Sequence, residues 1–169
     1  MKKLVLTLAI VFVGIMSANA QVWIGGGLGA RAEKGVTVFE IAPEVGYCFN
    51  NQWQIALGAD YAFAKAGTST NVLVLEPYVR YVGGTIGHKF SLFVDLTGDF
   101  ALLDAKGAYG VFLRPGIAWQ ATEKFTAAFR LGYAGFDHGF ESDDVFSSAN
   151  GFVMKCDLAA PSIRVYYNF

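Results

Sequence analysis

The sequence predicts an all-β protein, more specifically an eight-stranded antiparallel up-and-down transmembrane β-barrel. After residue 20, apolar residues alternate with small or polar ones at a period of two, which is the period of a β-strand. Hydrophobic residues make up 54% of the chain, and the mean hydropathy is +0.39. Even so, no apolar run after residue 20 reaches the roughly 20 residues that a membrane-spanning helix needs. The apolar residues are therefore distributed along strands.

The first 20 residues have the features of a secretory signal peptide. Lys2 and Lys3 precede an apolar run of about 13 residues, and the segment closes on Ala18-Asn19-Ala20, a small-x-small cleavage pattern. The run is too short for a spanning helix. We therefore expect a cleaved signal peptide at residues 1–20 and a single β-barrel domain at residues 21–169.

Eight candidate strands follow in the mature chain, separated by clusters of turn-forming residues. The predicted strands are residues 22–31, 36–49, 53–64, 72–82, 90–103, 108–120, 125–136 and 152–169. The intervening turns include residues 65–71, 83–85 and 104–107, and the longest loop is predicted at residues 137–151. An even number of strands brings both ends of the mature chain to the same end of the barrel.

The two faces of each predicted strand differ in chemistry. In the second strand, one face reads Phe39, Ile41, Pro43, Val45, Tyr47 and Phe49, and the other reads Glu40, Ala42, Glu44, Gly46 and Cys48. Alternation alone also suits a soluble barrel, but there the polar face would meet water and be rich in Lys and Glu. Here the polar face is mostly Gly, Ala, Ser and Thr with isolated charges. This composition predicts a narrow interior, with the apolar face and its terminal aromatic residues towards lipid.

Charged residues on the predicted inward face fall into two groups. The carboxylates concentrate on strands two to five, and Arg114, Arg130 and Arg164 lie on strands six to eight, with Arg80 between the two groups. Because buried ions need partners, we expect them to form one charge network across the lumen. Its predicted members are Glu40, Glu44, Asp60, Glu76, Arg80, Asp95, Asp99, Arg114, Arg130 and Arg164.

The four prolines form a weak internal repeat. Pro43, Pro77, Pro115 and Pro161 each lie on the apolar face of an even-numbered strand. Proline cannot donate a ladder hydrogen bond, and a closed barrel has no edge strand to hold it. We therefore expect bulges or missing ladder bonds near these residues.

The chain ends on the aromatic strand Arg164-Val165-Tyr166-Tyr167-Asn168-Phe169. With the signal peptide, the amphipathic strands and the prolines, this ending resembles the small outer-membrane β-barrels of Gram-negative bacteria, of the OmpA transmembrane-domain and OmpX type and the "porin family". The resemblance implies periplasmic termini, outward-facing longer loops and a final strand, with Tyr167 and Phe169, that the barrel-assembly machinery recognises. It also implies outer-membrane lipid and lipopolysaccharide as partners and a monomeric, non-enzymatic protein with an envelope-structural or surface-interaction role.

Two other functions remain open. A lipid A-modifying outer-membrane enzyme would need a nucleophile, a base and an acid at the outer rim. The predicted last loop offers such residues, namely His138, Glu141, Ser142, Asp143, Asp144 and Ser147. A soluble periplasmic barrel of lipocalin type would need an apolar interior, which the inward charges oppose.

Charge and cysteine content limit the remaining classes. Without Lys2 and Lys3, the chain has 11 basic and 14 acidic residues and no basic patch for nucleic acid. We expect no cofactor, no metal and no catalytic residue.

Cys48 and Cys156 fall near opposite ends of the predicted barrel, so we expect two free thiols. A continuous register through residues 152–160 would place Lys155 on the lipid face, which leaves that register open.

Overall fold

The structure, a computed structural model, describes residues 21–33, 36–66, 68–103, 107–140, 150–156 and 162–169. The predicted signal peptide lies outside the described residues, as does Pro161. Of the predicted last loop, residues 141–149 also lie outside them, including Glu141 and Ser142. No helix of the described residues is long and apolar enough to cross a membrane.

The described chain is built of β-segments that combine into eight barrel strands. The segments are β1 (Val22–Glu33), β2 (Val36–Cys48), β3 (Trp53–Ala66), β4 (Thr68–Ile86), β5 (Phe90–Leu103), β6 (Tyr109–Gln120), β7 (Phe125–Arg130), β8 (Gly132–His138), β9 (Asn150–Cys156) and β10 (Ser162–Asn168). Segments β7 and β8 both pair with β6 and together form the seventh strand. Segments β9 and β10 form the eighth, because they pair with β8 and β7 respectively.

The barrel closes where the first strand meets the last. Each segment is antiparallel to its neighbours, from β1–β2 round to β7–β10. Closure comes from β1 and β10, which pair from Trp23 with Asn168 to Gly26 with Val165. The predicted fold, a closed eight-stranded antiparallel barrel, is confirmed.

Ladder irregularities lie beside three prolines. The β2–β3 pairing stops at Ile41 with Tyr61 and resumes at Glu44 with Gly58, so it is interrupted at Pro43. The β4–β5 pairing is likewise interrupted at Pro77, between Leu75 and Tyr78.

The third irregularity is beside Pro115. The sixth strand pairs Gly116 with Arg130 but Leu113 with Ala134, so the seventh strand carries one extra residue, Leu131. The Leu131 N–H donates to the Pro115 carbonyl over 2.9 Å. A bulge thus accommodates the ring, as expected for proline in a paired strand.

Two predicted turns are wrong, and both lie on β4. Residues 68–71 of the predicted outer loop belong to this strand, where Thr68 pairs with Ala66 and Asn71 with Phe63. At the other end, Gly83 and Gly84 were predicted to form a turn, but they mark a register shift within the strand. The turn itself is Gly87–Lys89, where Gly87 has φ 65°. Glycine within a strand often marks a bulge, and the sequence does not distinguish this from a turn.

The inward-facing residues of the eighth strand are odd-numbered in β9 and even-numbered in β10. In β9, Val153 is buried while Phe152 and Met154 are exposed, so odd-numbered residues face inward. In β10, Arg164 and Tyr166 are buried, so even-numbered residues do. Lys155 consequently shares the inward face with Val153 and is not on the outer, apolar face as a continuous register would require.

The barrel interior contains a layer of large aromatic side chains near the end that holds both termini. Trp23, Tyr78, Phe93 and Tyr166 are buried there with Ala128. Small residues provide the space for these rings. A Cβ added at Gly46 would overlap the Trp23 ring, and one at Gly116 would overlap the Phe93 ring. The small residues of the predicted inward face are therefore complementary to aromatic ones.

Gly46→Ala should destabilise the barrel by about 1–3 kcal/mol, the usual cost of overpacking, because the Trp23 ring and the Ile55 carbonyl leave no room for the methyl group. Urea unfolding of the refolded chain, followed by tryptophan fluorescence, measures this. The matched control is Gly84→Ala, whose Cβ would meet no atom within 4 Å. Equal stability of the two variants would contradict the packing argument.

Candidate functional site

Asp95 lies at the centre of the buried charges inside the barrel. Strand register places it opposite Arg80 on β4 and opposite Arg114 on β6. Arg80 donates to both Asp95 carboxylate oxygens, from Nε over 2.6 Å and from Nη2 over 2.9 Å. Arg130 donates from Nε to Asp95 Oδ2 over 3.1 Å. The Asp95 side chain is fully buried, so its charge is balanced entirely by these guanidinium groups.

Arg130 and Arg114 extend this arrangement to further carboxylates. Arg130 Nη1 lies 3.5 Å from Glu44 Oε1 and 3.6 Å from Glu76 Oε2. These distances are too long for good hydrogen bonds, so the attraction is mainly electrostatic. Arg114 donates to Glu76 Oε1 over 2.5 Å and also to Asp99 Oδ2.

Arg164, on the last strand, connects the remaining carboxylates. It donates from Nε to Glu44 Oε1 over 3.0 Å and from Nη2 to the Asp60 carboxylate over 3.2 Å. Its Nη1 lies 3.5 Å from Glu40 Oε1. The structure thus brings all of the residues of the predicted charge network into one connected set, which we call the charge network: Glu40, Glu44, Asp60, Glu76, Arg80, Asp95, Asp99, Arg114, Arg130 and Arg164.

Aromatic side chains contact the charge network on its side nearest to the two chain termini. The Tyr78 and Tyr166 hydroxyls donate to Glu44 Oε2 over 2.6 and 3.0 Å. The Arg80 guanidinium lies over the Phe93 ring, 4.0 Å from its centroid. Such cation–π contacts strengthen when they are desolvated.

Sequence reasoning gave no role to Trp23 or Phe93, although both hold inward positions by simple alternation. Phe93 lies between Ser91 and Asp95, which the sequence places on the polar face. Their position in the alternating pattern was therefore the signal that could have identified these aromatic residues as inward-facing. Residue polarity alone does not identify them, because it assigns aromatic residues to the apolar face.

The final strand places Tyr167 and Phe169 on the outside, at the end of the barrel with both termini. Tyr167 pairs with Ile24 on β1 and with Phe125 on β7. Its ring contacts those of Phe125 and Phe169 edge-to-face, with centroids 5.2 Å apart in both cases. Lys124 Nζ lies 3.3 Å from the Tyr167 hydroxyl. The terminal residues predicted as an assembly signal are therefore ordered parts of the barrel wall.

The two cysteines and His138 are not members of the charge network. Cys48 and Cys156 are free cysteines, in agreement with the predicted strand positions. His138 is exposed at the end of β8, with its ring 5.1 Å from that of Tyr109. Among the described residues, no three or more His, Cys, Asp or Glu side chains are grouped to hold a metal ion.

No protein-family model matches the chain, and no curated protein matches it. The fold and the geometry of the interior are therefore the basis for a proposed function.

Arg130→Met should destabilise the barrel by about 3–5 kcal/mol, the usual cost of removing one partner from a buried ion pair, because Glu44, Glu76 and Asp95 would lose a shared cation. The measurement is urea unfolding of the refolded chain, as for Gly46→Ala. Lys89→Met removes one cation from the exposed Gly87–Lys89 turn and should change stability by no more than about 0.5 kcal/mol. A similar small effect for Arg130→Met would show that the charge network contributes little.

Proposed function

We propose that this protein is an integral outer-membrane β-barrel of Gram-negative type, with a side-chain-filled lumen and no enzymatic activity. The observation that carries the proposal is the distribution of polarity across the barrel wall. Buried charges occupy the inside, and large apolar side chains are exposed on the outside. This is the reverse of a soluble barrel, which would turn its polar face to water.

Exposed large apolar side chains occur on each of the eight barrel strands. Central outward residues on neighbouring strands, such as Leu96 and its partner Leu113, are about half exposed. Comparable residues occur on β2, β3 and β10. Soluble monomers rarely expose contiguous apolar patches beyond a few hundred Å², so a lipid environment accounts for this surface best.

Aromatic residues at the end that holds both termini support a membrane interface there. Trp53 and Tyr81 contact each other with centroids 4.8 Å apart, and Phe125 contacts Tyr167. Trp119 pairs with Phe90 nearby. Aromatic girdles of this kind flank the apolar band of transmembrane barrels.

The charge network favours a structural lumen over a ligand-binding one. Its arginines and carboxylates cross the interior at mid-height, where a lipocalin-type barrel would need an apolar cavity. An eight-stranded barrel is just wide enough for its own side chains. The protein would then have a structural role in the envelope or take part in surface interactions through its outer loops.

The remaining parts of the proposal rest on the resemblance of the sequence to the small outer-membrane β-barrels of Gram-negative bacteria. Residues 1–20 would direct export and be cleaved, and the strand ending in Tyr167 and Phe169 would be recognised by the barrel-assembly machinery. Both termini would face the periplasm, and the connection between β8 and β9 would face outside. The monomeric barrel would contact outer-membrane lipid and lipopolysaccharide and bind no nucleic acid.

Location and folding can be tested together. The full-length chain expressed in a Gram-negative host should appear in the outer-membrane fraction, and unboiled samples should migrate differently from boiled ones on a denaturing gel. The difference arises because a closed barrel resists detergent until it is heated. Recovery in the soluble periplasmic fraction with heat-insensitive migration would overturn the proposal and favour the soluble ligand-binding barrel.

Leu96→Arg separates a lipid-facing surface from a water-facing one. Leu96 lies mid-strand on the outward face, where a charge near the bilayer midplane costs about 2–4 kcal/mol. Leu92→Arg, on the same face of β5 but near the Gly87–Lys89 turn, should cost about 0–1 kcal/mol. Unfolding in lipid vesicles gives both values. Equal, near-zero effects at the two positions would mean that this face does not contact lipid.

A further inference from the structure

The end of the barrel that holds both termini contains a polar cavity, and Arg80 is the member of the charge network that lines it. Its volume is about 360 Å³, within the usual range of small-ligand pockets. The wall is a ring to which each barrel strand, or the residue flanking it, contributes one inward side chain: Gln21, Cys48, Gln54, Val82, Ser91, Gln120, Thr126 and Asn168. Arg80, Phe93 and Tyr166 form its floor. We call this the mouth cavity.

Amide and hydroxyl groups dominate the mouth cavity. Of the eight residues in its ring, only Cys48 and Val82 lack an amide or hydroxyl side chain. Within the part of the chain that the structure describes, Gln54, Ser91 and Gln120 have no side-chain hydrogen bond to another residue. These groups are in place to bind a ligand that both donates and accepts hydrogen bonds.

The electrostatics of the mouth cavity favour a neutral ligand. Among the described residues of its lining, Arg80 is the one cation, and Asp95 already neutralises it through two hydrogen bonds. Glu123, at the rim, is the one carboxylate among these residues. An anionic ligand would meet a compensated arginine, and a cationic one would find a single exposed acid, so neither has a strong electrostatic reason to bind.

We propose that the mouth cavity binds the end of a neutral glycan bearing hydroxyl and amide groups. Side-chain amides and hydroxyls match the alternating donors and acceptors of a sugar ring, and Phe93 in the floor and Ala118 elsewhere in the lining add apolar contacts. The cavity is closed at the floor by the buried aromatic layer, so it accommodates a chain end and not a chain passing through. A neutral peptide is the principal competitor, and the experiment below includes one.

The biological setting of this site rests on the proposed function. If the termini face the periplasm, the mouth cavity opens towards the envelope glycans of that compartment. The barrel would then hold a glycan end beneath the outer membrane. Binding itself depends only on the folded barrel and can be measured in micelles, so the two proposals are tested separately.

The test is a calorimetric titration of the refolded mature chain with N,N′-diacetylchitobiose in a detergent that contains no sugar. We expect saturable binding with a dissociation constant on the order of 1 mM. Gln54→Ala and Gln120→Ala should each weaken it about threefold to tenfold, the usual effect of one lost hydrogen bond. The matched control is Gln52→Ala, an exposed residue of the β2–β3 turn that is not part of the cavity lining.

Cys48 provides an independent readout of occupancy. In a Cys156→Ser variant, Cys48 is the one remaining thiol, and it lines the mouth cavity. Diacetylchitobiose should slow its modification by a small water-soluble thiol reagent, whereas triglycine at the same concentration should not. Protection by the sugar alone would support a sugar at the cavity wall.

The outcomes decide between the possibilities as follows. No saturable binding by a sample that shows the folded, heat-modifiable band would overturn the glycan proposal and leave the membrane proposal intact. Binding that Gln54→Ala and Gln120→Ala leave unchanged would place the sugar elsewhere and also overturn it. Binding of triglycine without diacetylchitobiose would make the ligand a peptide. Binding by a protein found only in the soluble periplasm would support the site and overturn the membrane location.

Discussion

Closure of the sheet by β1 and β10 is the constraint on which the rest of the structure depends. Once the first and last strands pair, the inward side chains of eight strands share a space of fixed width. Each large residue then requires a small one opposite or beside it. Gly46 beside Trp23, Gly116 beside Phe93 and Gly27 beside Arg164 all follow this rule. Gly25 and Gly27 of β1 thus leave space in the interior for Tyr166 and Arg164.

Limited space also explains why the interior charges form one network and not separate pairs. Arg130 lies within ion-pair distance of carboxylates on three strands, β2, β4 and β5. Six carboxylates share four arginines, so each guanidinium must serve more than one acid or be held by aromatic rings as well. Towards the termini the charges stop at the aromatic layer, and the mouth cavity beyond it is lined mainly by neutral groups.

Most of the fold was predictable from alternation, and most failures were of a single kind. Period and polarity give strand positions to within a few residues, and inward polarity identified every member of the charge network. Changes in which residues face inward were not predictable. The extra residue Leu131 reverses the inward–outward alternation within the seventh strand, and the change between β9 and β10 reverses it within the eighth. Glycine pairs misled for a similar reason, since Gly83 and Gly84 suit a turn and a bulge equally. The mouth cavity was missed because its neutral residues resemble ordinary strand ends.

The charge network and barrel closure reinforce each other. Arg164 belongs to β10, the strand that closes the barrel, and its partners Glu44 and Asp60 lie on β2 and β3. These contacts reach past β1, so the last strand is held by backbone pairing with β1 and by charge beyond it. Opening the pairing of β1 with β10 would separate Glu44 and Asp60 from Arg164, and losing Arg164 would weaken this closure. A buried charge without a partner is energetically costly. The ion pairs of Arg164 and the pairing of β1 with β10 therefore stabilise each other. The polar interior therefore favours the closed barrel over an open sheet, although it provides little apolar burial of its own.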